Sequence, residues 1–580
     1  MGASLLRILV LGLLALITLP IRILVALWGR ILIRKKTVVN WSVGHERRDF
    51  EPPQMERCLR ALEDVAKDPR VCGLVLDIRA LRLGWAQLYQ LRDAVSAVRE
   101  QGKRVEAHLD SAGDRELLLA SAANIVTMSP AAELHLSGIS ASMMFYGQVL
   151  DTAGVVVDLE SAGAYKSFGE PYTRAYPTRE NREATNHLLG DLHQRWIQTL
   201  ADGRKMSTEA VEDLLEQTPI SASVAVEVGL IDGTAYPDQN EASREEALGG
   251  SVHVVSLRSY GRWNRIWRKI PAIRRKPFCV AVVHMEGPVV ERRAQMRRSG
   301  RLIASDDVIP VLEELADNDS IKAVVLTVNS PGGSALASDL IARSVAFLGE
   351  RKPVIASMGN VAASGGYYIS AKAKEIFAHP ATITGSIGVV GGKVVIGPAL
   401  AKLGVHHSWL GPAPDPGMMS GAAPFDSGQR ARFRASLRRV YDRFLQVVAT
   451  GRGREVEDIE PFAQGRVWTG TQALDNGLVD TLGNEAAAIK RAAELADAQE
   501  QRVKLLPIRF DPPKFGMVSS MLQSQSVSAS DLIVNSAGVH GLMLQILQGS
   551  AGVPLAFVPS VLDDCSWESW LVDGSPYTKR

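Results

Sequence analysis

Asp319-Ser320-Ile321-Lys322-Ala323-Val324-Val325-Leu326-Thr327-Val328 runs from a short polar turn into a nearly unbroken apolar stretch. A run this short and this rich in Val and Leu predicts a strand buried on both faces of a sheet. Lys352-Pro353-Val354-Ile355-Ala356-Ser357-Met358 follows after a helix-length interval and reads as the next strand. The first half of the chain carries the same pair, Asp68-Pro69-Arg70-Val71-Cys72-Gly73-Leu74-Val75-Leu76-Asp77 and Lys103-Arg104-Val105-Glu106-Ala107-His108-Leu109, about 250 residues earlier. Ile125-Val126-Thr127-Met128-Ser129-Pro130 matches Ile376-Phe377-Ala378-His379-Pro380, and Ala225 to Asp232 matches Ala473 to Asp480, in the same order. The chain is therefore a tandem repeat of one α/β unit, whose strand–helix turns present backbone at one end of each sheet. Long helical runs near 182–200 and 429–448 carry apolar stripes that predict packing.

The 580 residues exceed one ordinary core, and the 46% apolar content marks a folded chain. A formal charge of +2 leaves no nucleic-acid footprint. Cys58, Cys72, Cys279 and Cys565 show no metal or disulfide spacing. From Ile8 to Ile33 the chain is apolar except for Arg22 and Arg30, which predicts a retained N-terminal membrane helix over 1–36. Arg22 is costly at mid-depth, and Arg34-Lys35-Lys36 on the far side leaves the orientation open. The expected order is an anchor (1–36), a repeat (50–250), a basic link with Trp263 and Trp267 (251–276), a second repeat (277–498) and an extension (499–580). Basic residues interleaved with tryptophan suit either a lipid surface or a solvated link with its tryptophans tucked onto a domain.

Chemistry concentrates in the second repeat. Asn329-Ser330-Pro331-Gly332-Gly333-Ser334 follows the Ala323–Val328 strand, and adjacent glycines let backbone N–H groups approach a ligand. The next strand delivers Asn360-Val361-Ala362-Ala363-Ser364-Gly365-Gly366-Tyr367-Tyr368, where small neighbours leave the Ser364 hydroxyl open to a carbonyl. Helix capping is the competing role for Ser364. A serine nucleophile needs a base, and no serine–histidine–acid arrangement or G-x-S-x-G elbow is present. Lys166, in Gly163-Ala164-Tyr165-Lys166-Ser167, serves only if desolvation lowers its pKa from about 10.4 to around 7–8, a shift that Glu170 would oppose if close. The first repeat has Asp110-Ser111-Ala112-Gly113-Asp114 in the corresponding place, and a complete nucleophile site is not expected there.

These segments, with Thr382-Ile383-Thr384-Gly385-Ser386-Ile387-Gly388 and Gly465-Arg466-Val467-Trp468-Thr469-Gly470, resemble the long tandem form of signal peptide peptidase, or protease IV, of peptidase family S49. The likeness runs from about residue 60 to about 495. It implies a crotonase/Clp-protease-like fold and a Ser–Lys dyad with Ser364 as nucleophile and Lys166 as general base. It further implies Ser386 as a helper to the lysine, and Gly332, Gly333 and Gly365 as oxyanion or substrate-binding positions. Implied partners are remnant signal peptides or other extended hydrophobic peptides, the lipid bilayer, and further copies of the chain in a homotetramer. The resemblance implies a cell-membrane location, single-pass or tightly associated, with a periplasmic or other extracytoplasmic catalytic domain whose side the N-terminal charges leave open, and requires neither metal nor other cofactor. Two other readings compete: a crotonase-like acyl-CoA enzyme and a noncatalytic membrane scaffold. The segment Gly411 to Met419 and the tail after 505 depart from the family pattern.

Overall fold

A computed structural model describes residues 33–44, 52–269, 278–292, 301–413, 415, 417–498, 503–510 and 555–557. They form two compact units, one drawn from 1–140 with 189–276 and the other from 141–188 with 277–580.

The first unit is built on a parallel sheet ordered His253–Ser256, Thr37–Val43, Val71–Ile78, Arg104–Leu109, Ile125–Met128, Gly233–Thr234. Two polar ties fix its loops. Lys103 Nζ donates to the Asp68 and Val71 carbonyls (2.6 and 2.7 Å), and the Asp232 carboxylate accepts from Val126 N (2.7 Å) while pairing with Arg204 (3.1 Å).

The second unit repeats both ties. Lys352 Nζ donates to the Leu315 and Asn318 carbonyls, and Asp480 accepts from Ile376 N at 2.7 Å and pairs with Arg452. Its main sheet runs Val467–Thr469, Ile383–Gly385, Val354–Ala363, Ile321–Ser330, Phe278–Glu286, Val503–Arg509. Alternate residues of the Ile321–Ser330 strand serve two cores, as the unbroken apolar run predicts. Val324, Leu326 and Val328 join Leu312, Ile341, Tyr367 and Phe444, whereas Ala323 and Val325 join Ala488 and Ala492 of helix Glu485–Leu495. Complete removal of such side chains from water contributes roughly 1.5–3 kcal/mol each.

A further sheet of this unit carries strand Val156–Ala162, antiparallel to Val389–Val395 with Ala162 opposite Val389. Buried Asp158 holds that strand in place: its carboxylate accepts from Phe425 N (2.7 Å) and pairs with Arg430 (2.8 Å) on helix Ser427–Arg452. Glu160 pairs with Arg430 and Arg434 of the same helix. By sequence the strand belongs to the first repeat, yet it is part of the second unit.

Three expectations change. Among the described residues no helix is long and apolar enough to cross a membrane. The expected anchor falls mostly on residues 1–32, outside the described residues, and its far end belongs to the folded first unit. Ile33 is 1% exposed, and Lys36 Nζ donates to the Leu248 carbonyl at 3.1 Å. An apolar run cannot distinguish a lipid-facing position from a core position, and Ile33 is a core position. The membrane helix, bilayer partnership and cell-membrane location are not retained. The described part of the 251–276 link, up to Lys269, is also structured: His253–Ser256 is a sheet strand, and helix Leu257–Lys269 buries Tyr260 and Trp263, with Arg70 over the Trp263 ring at 5.3 Å. The extension contributes strand Val503–Arg509, which pairs with Phe278–Glu286.

Asp158→Ala leaves the buried Phe425 N–H without its acceptor and half-unpairs Arg430. We expect a loss of about 2–3 kcal/mol from the second unit, read as a shifted urea midpoint for that unit's transition.

Candidate active site

Two paired strands end together. Ala363 lies opposite Gly385 in the register, so Ser364 and Ser386 each sit one residue beyond the same rung. Both serines adopt positive φ, 56° and 51°, a conformation that costs of order 1–3 kcal/mol and needs firm support. That support is visible: Ser364 N donates to the Gly385 carbonyl (2.8 Å), Tyr368 N to the Ser364 carbonyl (2.8 Å), and Ser386 N to the Arg466 carbonyl (2.7 Å). Ser364 heads helix Gly365–Ser370, but its hydroxyl does not cap it. The capping role is thereby excluded.

The hydroxyl instead meets Lys166. Lys166 Nζ lies 2.9 Å from Ser364 Oγ, 2.9 Å from Ser386 Oγ and 3.0 Å from the Ser386 carbonyl oxygen. Lys166 is 6% exposed and Ser364 fully buried. Burial lowers the amine from its ordinary 10.5 to about 7, with no other cause contributing. Glu170 does not oppose this, since its carboxylate accepts from Thr178 N (3.0 Å), Thr178 Oγ1 (2.6 Å) and Asn181 Nδ2 (2.8 Å). A neutral amine has two N–H groups and one lone pair. The Ser386 carbonyl takes one N–H, because it can only accept, and Ser386 Oγ can take the other. The lone pair then faces the Ser364 hydroxyl, the arrangement a base requires.

Lys166 reaches this point because strand Val156–Ala162 ends in a turn gripped by the 464–466 loop. Tyr165 N donates to the Gln464 carbonyl (2.8 Å), and a Cβ on Gly465 would stand 2.6 Å from Lys166 N, so only glycine fits. Gly465 N in turn donates to the Ile387 carbonyl at 2.7 Å, tying the lysine turn to the Ser386 turn. Arg466 lies over the rings of Tyr165 (4.9 Å) and Trp468 (4.7 Å) and pairs with Glu183 at 2.8 Å. Phe168 packs with Val157, Val390 and Val394 just past the lysine. The sequence reading gave 464–466 no role of its own. The glycine flanked by turn residues was the available signal, and it lacked a partner in sequence.

Of the glycine positions, Gly333 and Gly365 come together: a Cβ on Gly365 would lie 3.2 Å from Gly333 N. Gly332 differs, since its N–H donates to Ser330 Oγ (3.2 Å) within the turn. Asn329 fixes the neighbouring strand by accepting from Val361 N at 3.1 Å. In the first unit the corresponding helix, Asp114–Ala120, is headed by Gly113, and the Glu116 carboxylate takes the N–H groups of Gly113 (3.0 Å) and Leu81 (2.6 Å). No hydroxyl occupies that place.

A sheet-end serine held against a buried amine defines a class of acyl-transfer site. The model of "Peptidase family S49" matches residues 97–249 and 346–499, more than half of the chain. A chloroplastic serine protease SPPA of Arabidopsis thaliana is 30% identical over 74% of this chain and 64% of its own length, just under two thirds. Protease 4 of Salmonella typhi is 31% identical over 76% of this chain and 72% of its own. Protease 4 of Haemophilus influenzae is 27% identical over 83% and 79%. Among solved structures, a point mutant of ClpP1 from Listeria monocytogenes matches 36% of this chain and 94% of its own at 17% identity, but its TM-score of 0.24 carries no argument. The chain belongs to peptidase family S49 and is a serine peptidase. The acyl-CoA and scaffold readings are set aside.

The lysine makes a prediction independent of turnover. Between pH 7 and 10.5 the unfolded chain holds a proton at Lys166 and the folded chain does not, so this residue's contribution to stability rises with pH there. Lys166→Met removes that dependence. Its stability relative to the parent is greatest near pH 7 and declines by about 1.4 kcal/mol per pH unit toward pH 10. Denaturant titrations at several pH values give this difference, and a pH-independent one contradicts the lowered amine.

Proposed function

We propose that this peptidase cuts extended apolar peptides, of the kind removed signal peptides supply, with Ser364 as nucleophile and Lys166 as general base. The supporting observation is the 2.9 Å approach of a buried, uncharged-leaning amine to a hydroxyl that serves no cap. Lys166 accepts the Ser364 proton as Oγ attacks the peptide carbonyl. The N–H groups of Gly333 and Gly365 hold the oxygen as it becomes negative. The ammonium returns its proton to the leaving amine as the C–N bond breaks, leaving an ester on Ser364. Water then attacks that ester with Lys166 again as base, and Ser364 recovers its proton as the acid product departs. Ser386 orients the amine in both halves. Small residues around Ser364 favour small or apolar side chains at the cut. The homotetramer implied by the family resemblance belongs to this proposal, and light scattering at micromolar concentration reads it.

Ser364→Ala and Lys166→Ala each lower kcat/KM on an internally quenched apolar peptide by at least about 10³-fold while the chain stays folded. Ser386→Ala lowers it by about 10–100-fold. Retained turnover without Lys166 rejects it as base. For the parent, kcat/KM falls as pH drops through about 7, because protonated Lys166 cannot accept the serine proton. Fluorophosphonate labelling of Ser364 follows the same limb.

A further inference from the structure

The first unit carries a cavity that the serine and lysine chemistry does not use. Helix Pro52–Lys67 and helix Leu257–Lys269 cross at small residues, where a Cβ on Gly261 would stand 3.1 Å from the Ala61 Cβ. Side chains brace the crossing: Asn264 Nδ2 donates to Asp64 at 3.0 Å, and Tyr260 Oη to Asp68 at 3.1 Å. Between these helices and the ends of strands Thr37–Val43 and His253–Ser256 lies a cavity of about 430 Å³. That is the size of a small-molecule site.

Its charge is one-sided. Arg57, Arg258 and Arg265 line it, and none of its described lining residues is acidic. Glu56 and Asp64, on the first helix, are turned to Arg60 and Asn264, and the second helix contains no acid. Arg57 Nη1 makes only a long hydrogen bond to Gln54 Oε1 (3.4 Å), and among the described residues neither Arg57 nor Arg265 has an ion pair. Burial, then the charges of Arg57 and Arg262, push the Arg265 guanidinium below its usual pKa. Two like charges on one wall are relieved when an anion lies between them. The rest of the wall is mixed. Trp41 and Cys58 are buried apolar groups, and Asn40, opposite Ser256 in the register, adds neutral donors and acceptors.

We propose that this cavity binds a phosphate monoester carried on a small, partly apolar body, with Arg57 and Arg265 holding the phosphate. Two unpaired guanidinium groups match a group of nearly two negative charges better than a single carboxylate, and their planar forks suit its oxygens. The site lies within the first unit and does not rest on the peptidase reading. It gives the repeat that lacks a nucleophile a binding role of its own.

Titration calorimetry of the full chain with phenyl phosphate tests this. The expected Kd is on the order of 0.1 mM, with benzoate, which carries one charge, weaker by about 10-fold or more. Arg57→Gln and Arg265→Gln each weaken phenyl phosphate by about 10-fold or more. Arg262→Gln, on the same helix but outside the cavity, changes it by less than about 2-fold. All three arginines are exposed, and the comparison of the two ligands on the parent chain needs no variant. Equal affinity for benzoate overturns the assignment of a phosphate. Equal weakening by all three substitutions overturns the cavity in favour of a diffuse basic surface. Binding to phosphatidylglycerol vesicles with none to phenyl phosphate overturns the small-molecule site altogether.

Discussion

An amine taken out of water with no carboxylate beside it is the constraint on which the site depends. Holding Lys166 near a pKa of 7 rather than 10.5 corresponds to on the order of 5 kcal/mol against its charged form. A salt bridge to Lys166 would cancel that effect. The Thr178 and Asn181 contacts that turn Glu170 away therefore matter as much as the serines that receive the lysine. Ser386 completes the arrangement by supplying two acceptors, which leaves the lone pair one direction to face.

The amine is placed by backbone pairing, and side-chain ion pairs hold the strand that carries it. The Ala363–Gly385 rung sets the two serines side by side, and the Ala162–Val389 pairing delivers the lysine turn to them. The 464–466 loop clamps that turn, and Asp158 and Glu160 bind its strand to helix Ser427–Arg452. Such an arrangement suits the proposed chemistry, in which one proton moves back and forth between Ser364 and Lys166. The first unit retains the lysine and aspartate ties of the same scaffold but places Gly113 where the nucleophile would be. Structural and chemical parts of the repeat have separated.

Much of this is legible in sequence because buried strands have a strong signature. The Val324–Val328 run and its earlier counterpart identify the repeated α/β unit, and the motif residues name Ser364, Lys166 and Ser386. What sequence does not carry is partnership at a distance. Nothing near Lys166 announces Gly465, where a φ of +82° and a lysine backbone 2.6 Å from where its Cβ would be both require glycine. Nor does an apolar stretch declare its solvent: Ile33 reads like lipid-facing chain and is packed in the first unit. For Trp263 the sequence leaves a lipid surface and a place tucked onto a domain equally open, and the residue is buried beneath Arg70. The 555–557 strand has too few residues to stand out from a weakly patterned tail.

The most direct measurement is the protonation of the Lys166 amine itself in the intact chain. Nuclear magnetic resonance of lysine labelled at Cε and Nζ, with Lys166→Arg identifying the signal, follows it across the pH range. The account predicts a resonance that titrates with a midpoint near 7, well separated from the other lysines. A midpoint near 10.5 would mean that the amine stays charged at neutral pH, and the proposed base would have no lone pair to offer.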